Sequence, residues 1–136
     1  MSLDQPAVQR FLDTKHIAVL ATVQPDGSPL ATAMWFLHDR ATLTMISVDN
    51  LQKVHNLRRD PRVSVVAEAS DAMGSHGRGV ALQGRAEFLA DGPERRALVD
   101  RFHAKYPELA HHWKGRAMPA NRVVSSLSVG RSRAHG

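Results

Sequence analysis

The chain has 136 residues, of which 43% are hydrophobic and 23% charged, so its composition suits one folded domain and not a disordered chain. It contains no cysteine, which excludes disulfides and thiolate chemistry and favours a cytoplasmic location. A formal net charge of +5 at pH 7 favours anionic partners, whether nucleic acid, a membrane surface or a phosphorylated cofactor. No long apolar run and no secretory h-region is present, so neither a membrane span nor an export signal is expected.

The first half of the chain predicts a short helix, three strands and a second helix. Strands are expected at 17–23, 29–37 and 41–48, with helices at 5–14 before them and 51–58 after them. Asp4 and Asn50 have side chains suited to cap the two helices. A tight turn at 24–27 joins the first two strands, because its Pro fixes φ and its Gly accepts a positive φ. The apolar positions change phase near Met45, which predicts a β-bulge or a change of environment.

The second half predicts three further strands and a longer helix. The strands are expected at 62–69, 80–88 and 122–129, a glycine-containing loop at 70–79, a helix beginning near Pro93, and irregular structure at 107–121. Leu98, Phe102 and Tyr106 form the core-facing stripe of that helix. We therefore predict a mainly β fold: a six-stranded antiparallel barrel with peripheral short helices at 1–130, followed by a basic tail at 131–136.

Common enzyme fingerprints are missing from the sequence. No dinucleotide-binding glycine motif, P-loop, zincin helix or nucleophile elbow occurs. His111 and His112 are adjacent, a spacing that points two rings in different directions on regular structure, so no metal site is predicted. The sequence assigns no catalytic side chain.

The segment 47–62 combines features that bind phosphate. A strand end with Ser47 precedes a helix whose first turn carries Lys53, and a helix N-terminus favours anions. We expect the useful positive charge to lie around Lys53, Arg58 and Arg59, although a solvated helix face would explain the same pattern.

Met34, Trp35 and Phe36 place one of two tryptophans beside another large ring. Such a group suits the wall of a planar-ligand site, and core packing explains it equally well.

Five segments together resemble the pyridoxamine phosphate oxidase-like split β-barrel flavoproteins. They are IAVLATV at 17–23, DGSP at 26–29, TAMWF at 32–36, KVHNLRRDPRVSVV at 53–66 and LQGRAEF at 82–88. The resemblance covers about residues 8 to 129, and 53–62 is its most specific part. Within the superfamily the chain is similar to small members that bind FMN or a deazaflavin coenzyme.

The resemblance implies a six-stranded split barrel that forms a homodimer with two cofactor sites at the interface. It places Thr32, Ala33, Met34 and Trp35 along the cofactor ring. By the same resemblance, Ile46 and Ser47 lie on the neighbouring strand, and Gln52 and Lys53 lie at the phosphate. The chain departs from the family pattern at Ala33, Leu51 and His55, where relatives often have Pro, a basic residue and Arg. Trp113 or His112 is expected to reach across the dimer in place of an aromatic residue on the last strand.

The function implied is hydride transfer between bound FMN or a deazaflavin and a small organic substrate. The alternative is a non-enzymatic protein of the same fold that binds or carries flavin or haem. A nucleic-acid module is disfavoured, because the few aromatic residues occupy core-like positions and no recognised motif occurs. No membrane partner is expected.

Overall fold

The computed structural model describes residues 2–69 and 78–135, so most of the predicted loop at 70–79 lies outside the described residues. The helices are Pro6–Asp13 (α1), Gln52–Arg59 (α2), Pro93–Lys105 (α3) and Leu109–Trp113 (α4). The strands are Ala18–Val23 (β1), Pro29–Met34 (β2), Leu37–His38 (β3), Thr42–Val48 (β4), Arg62–Ala69 (β5), Arg78–Phe88 (β6) and Arg122–His135 (β7). The predicted mainly β fold is confirmed. None of the described helices is long and apolar enough to cross a membrane.

The strands form one antiparallel sheet in the order β2-β1-β5-β6-β7-β4-β3. β2 and β3 therefore lie at opposite edges of the sheet, yet only Trp35 and Phe36 separate them in the chain. Three peptide units span at most about 11 Å, so the sheet must curl until its two edges approach each other. The count is seven strands rather than the predicted six, because the expected strand 29–37 breaks at this crossing.

The core lies on the inner face of the curled sheet, where strand residues alternate between inside and outside. Leu20 on β1 is paired with Val65 on β5, which is paired with Leu82 on β6, and all three are buried. Phe36 and Leu43 contribute to the same cluster from the other edge of the sheet. Burial of side chains this size contributes about 1.5–3 kcal/mol each, so this row is a main source of stability.

Neither predicted helix cap is present. α1 begins at Pro6, whose fixed φ suits the first turn, and the preceding residue is Gln5 rather than Asp4. α2 begins after Leu51, and its N-terminus has no side-chain cap from Asn50.

Tertiary contacts hold α2 instead of a cap. Asn56 is fully buried, and its Nδ2 donates a hydrogen bond to Thr22 Oγ1 on β1 at 3.1 Å. Val54 and Leu57 are buried beside it. Asn56 thus anchors this helix to the sheet.

The change of phase near Met45 reflects environment and not a bulge. β4 and β7 are paired without interruption from Thr42 to Val48. Met45 is buried in the main core, whereas Ile46 packs against a second apolar cluster formed by α3 and α4. The predicted stripe Leu98, Phe102 and Tyr106 belongs to that second cluster.

The register irregularity lies between β6 and β7. Gln83 is paired with Arg131 and Gly84 with Val129, so one residue of β7 is left without a partner. β7 continues to His135, beyond the predicted end at 129, because β6 is long enough to pair with it. The segment 107–121, expected to be irregular, contains α4.

Candidate functional site

A cleft of about 340 Å³ opens beside the crossing between β2 and β3, between the end of β4, the start of α2, and the helices α3 and α4. Its volume lies within the range of roughly 300–1,000 Å³ that is usual for small-molecule sites. Six of the eight predicted binding residues line it: Ala33, Met34, Trp35, Ile46, Ser47 and Lys53.

Thr32 and Gln52 are not among the lining residues. Thr32 is opposite Leu20 on β1, and its Oγ1 is buried without a hydrogen-bond partner in the described part of the chain. Gln52 donates from Nε2 to Asn56 Oδ1 at 2.8 Å. Both residues adjoin lining residues in the chain, and their role in binding stays a prediction.

Two tryptophans give the cleft flat apolar walls. Trp35 stacks on Tyr106, the residue that follows α3, with ring centroids 4.5 Å apart and planes 7° apart. Trp113 lies edge-on to His103 at 5.3 Å, and His103 bonds through Nε2 to the Arg116 carbonyl at 2.8 Å. These contacts fix the orientation of the rings, and such rings suit the face of a planar ligand.

Lys53 is the distinctive polar group of the cleft. It is half-buried, and its Nζ lies 2.9 Å from Sδ of Met34. A thioether is a weak acceptor and leaves the ammonium largely uncompensated. Burial accordingly lowers the pKa of Lys53 below its usual value. A bound anion at this position would stabilise the partly desolvated Lys53 ammonium.

The remaining electrostatics of the cleft also favour an anion. Lys53 and Arg122 are its two cations, and no carboxylate is among the described lining residues. The first amides of α2, at Gln52 and Lys53, point out of the helix end without intrahelical acceptors. Together these groups produce a positive region at one side of an apolar cleft.

Arg58 and Arg59 occupy the opposite end of α2 and have packing contacts there. The Arg58 guanidinium lies 4.5 Å from the centroid of the Phe88 ring. Arg59 donates to the carbonyl of Val23 and to Asn56 Oδ1. The structure thus separates this pair from Lys53, contrary to the expected cluster of positive charge.

Sequence reasoning missed several lining residues. Phe102 and Leu109 were assigned to the core or to irregular structure, and Arg122 to an ordinary strand start. Arg122 is paired with Val48 at the end of β4, and a charge at the start of an apolar strand could have indicated it. Trp113, expected to reach a second subunit, lines the cleft of its own chain.

This arrangement fits a planar group with a phosphorylated tail. The ring would lie along Trp35, and the phosphate would reach the partly desolvated Lys53. The described lining contains neither a histidine nor a carboxylate, so Lys53, whose pKa is lowered by burial, is its candidate for proton exchange. The residues can bind and orient a reactive group rather than replace it.

Comparisons with known proteins identify the family of the chain. The family profile described as pyridoxamine 5'-phosphate oxidase matches residues 4–136. A conserved hypothetical protein from Mycobacterium tuberculosis is 29% identical, with a TM-score of 0.76 over 98% of this chain and 84% of that one.

Two more distant structures share the fold. An FAD-binding protein from Mesorhizobium loti is 22% identical, with a TM-score of 0.75 over 92% of this chain and 87% of that one. The heme storage protein HutZ from Vibrio cholerae is 15% identical, with a TM-score of 0.79 over 98% and 94%. The match over nearly the whole length decides the family: the chain belongs to the pyridoxamine 5'-phosphate oxidase family.

Proposed function

We propose that the chain binds a phosphorylated flavin, FMN or a deazaflavin coenzyme, in the cleft and transfers hydride between its ring and a small organic substrate. The observation that carries this proposal is the Lys53 ammonium, half-buried in the cleft with a thioether at 2.9 Å as its polar contact. Family membership and the FAD-binding structural relative support a flavin as the planar group.

Each part of the cleft has a defined task in this proposal. Lys53 and the first amides of α2 hold the phosphate through charge-assisted hydrogen bonds. Trp35 and Ile46 flank the ring and exclude water from it. When bound, the ring supplies the hydride chemistry. Trp113 shapes the remaining space, in which a small organic substrate would lie beside the ring.

The active form in this proposal is a homodimer. On the outer face of β1, Val19 is 40% exposed and is paired with Ala33 on one side and Val66 on the other. Val66 is 37% exposed, and Ile17, at 44%, lines the cleft. This apolar strip therefore runs to the rim of the cleft. A second copy of the chain on the strip would cover apolar surface and close the outer side of both sites.

Cofactor titration tests the proposal. Purified protein is titrated with FMN and, separately, with a deazaflavin coenzyme, and ring absorbance and fluorescence are recorded. We expect one of them to bind at micromolar concentration or tighter. Failure of both to bind at micromolar concentration would overturn the proposal.

Turnover distinguishes an enzyme from a carrier. The cofactor is reduced on the protein, and its reoxidation is followed with a panel of small planar acceptors. Reoxidation that is faster than that of free reduced cofactor supports hydride transfer. Tight binding with no acceleration by any acceptor supports storage or transport of the flavin instead.

The dimer is tested by light scattering. Val66→Lys places a charge in the apolar strip and is expected to yield monomers with weaker cofactor binding. Ala90→Lys, at an exposed position after β6, is the matched control and should leave both properties unchanged. A wild-type chain that is monomeric with cofactor bound would contradict this part of the proposal.

Haem binding is the second candidate function. His112 is exposed, and its ring lies 6.0 Å from that of Trp35, so it is the residue that would supply a haem ligand. The heme storage protein from Vibrio cholerae shares the fold. A haem titration that gives a sharp Soret band, lost in His112→Ala, would favour this function over flavin binding.

A further inference from the structure

A second cavity, of about 450 Å³, lies between the end of α1, β3 and the last turns of α3. Its lining consists of Leu37 and Ala104 as apolar groups and Asp13, His16, His38, Arg101 and Lys105 as charged or titratable groups. Phe36 separates it in the chain from Trp35, which lines the first cleft. No residue that lines this cavity also lines that cleft.

The acidic group of the cavity already has a partner. Gln9 donates from Nε2 to two backbone carbonyls, those of Leu3 at 2.8 Å and Asp39 at 2.9 Å, and this fixes its Oε1 toward His38 Nδ1 at 2.7 Å. The other ring nitrogen, Nε2, lies 2.7 Å from Asp13 Oδ1. The His38 ring therefore lies between the Gln9 amide oxygen and the Asp13 carboxylate, and its contact holds that carboxylate at one end of the cavity.

One of the two remaining cations is also balanced. Arg101 donates to Asp39 Oδ2 at 3.0 Å and to the His38 carbonyl at 3.3 Å. Lys105 has no carboxylate within ion-pair distance among the described residues, and Asp13 acts on it only through space.

Lys105 is held in place but not neutralised. Its Nζ donates to the Phe36 carbonyl at 2.8 Å and lies 3.8 Å from the centroid of the Phe36 ring. Burial lowers its pKa to about 8. An ammonium has three protons, so further donors remain for a ligand in the cavity. The cavity thus presents an ammonium with no directly paired carboxylate beside apolar walls.

We propose that this cavity is a binding site for a small organic carboxylate, held by the Lys105 ammonium with its carbon skeleton against Leu37 and Ala104. One ammonium matches a monoanion. Inorganic phosphate, which carries more than one negative charge at pH 7.5, would bring additional negative charge close to Asp13 and should bind more weakly. The site is separate from the flavin cleft and does not depend on the function proposed for that cleft.

Lysine labelling of the wild-type protein tests the proposal. The chain contains four lysines, Lys15, Lys53, Lys105 and Lys114. A neutral acylating reagent is applied at pH 7.5 with and without benzoate or acetate, at ionic strength held constant with sodium chloride, and each lysine is quantified by mass spectrometry. A several-fold lower labelling rate at Lys105, with Lys15 and Lys114 unchanged, supports the site. An unchanged rate at Lys105, or an equal change at all lysines, overturns it.

The same experiment separates this site from the cleft. FMN is expected to protect Lys53, whereas the carboxylates should protect Lys105. Protection of Lys105 by benzoate with no effect of FMN on Lys53 would leave the second site standing while the cofactor proposal fails. Protection of Lys53 by benzoate with no change at Lys105 would overturn the second site.

Calorimetric titration with benzoate provides the second measurement. Lys105→Met should abolish the binding heat, and Lys114→Met, which removes an exposed charge elsewhere, should retain it. Unfolding curves verify that both variants are folded. Equal binding by both variants, or tighter binding of inorganic phosphate than of benzoate by the wild type, would contradict a carboxylate site at Lys105.

Discussion

The hydroxyl of Tyr106 accepts a hydrogen bond from the backbone N–H of Phe36 at 2.9 Å. Its single proton faces the carbonyl oxygen of His16 at 2.8 Å, with the Phe36 carbonyl at 3.1 Å. At Phe36 the chain crosses between the two edges of the sheet, so its backbone groups have no ladder partner there. Two side chains, Tyr106 at the N–H and Lys105 at the carbonyl, therefore supply the hydrogen bonds that the sheet does not.

Tyr106→Phe should destabilise the protein with little change in packing volume. The substitution leaves the buried N–H of Phe36 without its acceptor, which costs about 1–3 kcal/mol. Urea unfolding measures the loss. Tyr106 also stacks on Trp35, so tryptophan fluorescence shows whether the cleft wall has moved. A free energy of unfolding equal to that of the wild type would show that water or another group replaces the hydroxyl.

Lys53→Met should weaken cofactor binding by about 1.5–3 kcal/mol, because a charge-assisted hydrogen bond to phosphate is lost. That range corresponds to a dissociation constant roughly 10- to 150-fold higher. Lys114→Met is the control for loss of charge, since Lys114 is exposed and outside the cleft. An affinity that Lys53→Met leaves unchanged would move the phosphate to another part of the molecule.

Gly84→Ala should strongly destabilise the sheet. A Cβ at Gly84 would lie 1.9 Å from the carbonyl oxygen of Ser128, where the register of β6 and β7 shifts. Relief of this clash requires backbone movement, which we expect to cost about 1–3 kcal/mol or more. Gly92→Ala is the matched control, because a Cβ there meets no atom within 4 Å. Thermal unfolding compares the two, and equal melting temperatures would contradict the prediction.

Stability should rise with pH above 8 because of Lys105. Burial lowers the pKa of this lysine to about 8 in the folded chain, against 10.5 as the usual value. Between these values the unfolded chain binds more protons than the folded one, so the free energy of unfolding increases with pH. Below pH 8 both states are protonated and the burial penalty is constant.

The contribution of Lys105 is isolated by comparison of the wild type with Lys105→Met. Urea unfolding at pH 7 and pH 9.5 should show a larger gain for the wild type than for the variant. Burial also raises the pKa of Tyr106, so measurements stay below pH 10 to exclude its titration. Equal pH dependence in the two proteins would show that Lys105 titrates normally.

The regular strands were predictable because their signals are local. The apolar run at β1, the turn before β2 and the alternation along β6 follow from hydrophobic period and turn chemistry. The break at Trp35 was not predictable from these signals, because the apolar pattern of the sequence continues through it. The break arises because the chain crosses there from one edge of the curled sheet to the other. The prediction of the helix caps was wrong for a related reason. Asn56 and Thr22, far apart in sequence, hold α2 in place of a local cap.

The cleft was predictable in part. Six residues taken from the family resemblance line it. Five lie on β2, β4 and α2, and Trp35 lies at the crossing directly after β2. The residues from α3, α4 and β7 were missed as lining groups, since their approach depends on tertiary packing. The contact of Lys53 with the thioether of Met34 was also not predictable, because the two residues are 19 positions apart in the sequence.

The position of β7 has a consequence for synthesis of the chain. This strand comes last in the sequence but lies between β6 and β4 in the sheet. Until residues 122–135 have been synthesised, the β3–β4 pair has no further strand to join. The strands β2, β1, β5 and β6 then end in an unpaired edge at β6. The nascent chain therefore exposes unpaired edges of β4 and β6 until the residues of β7 have been synthesised, and only then can the described strands form one sheet.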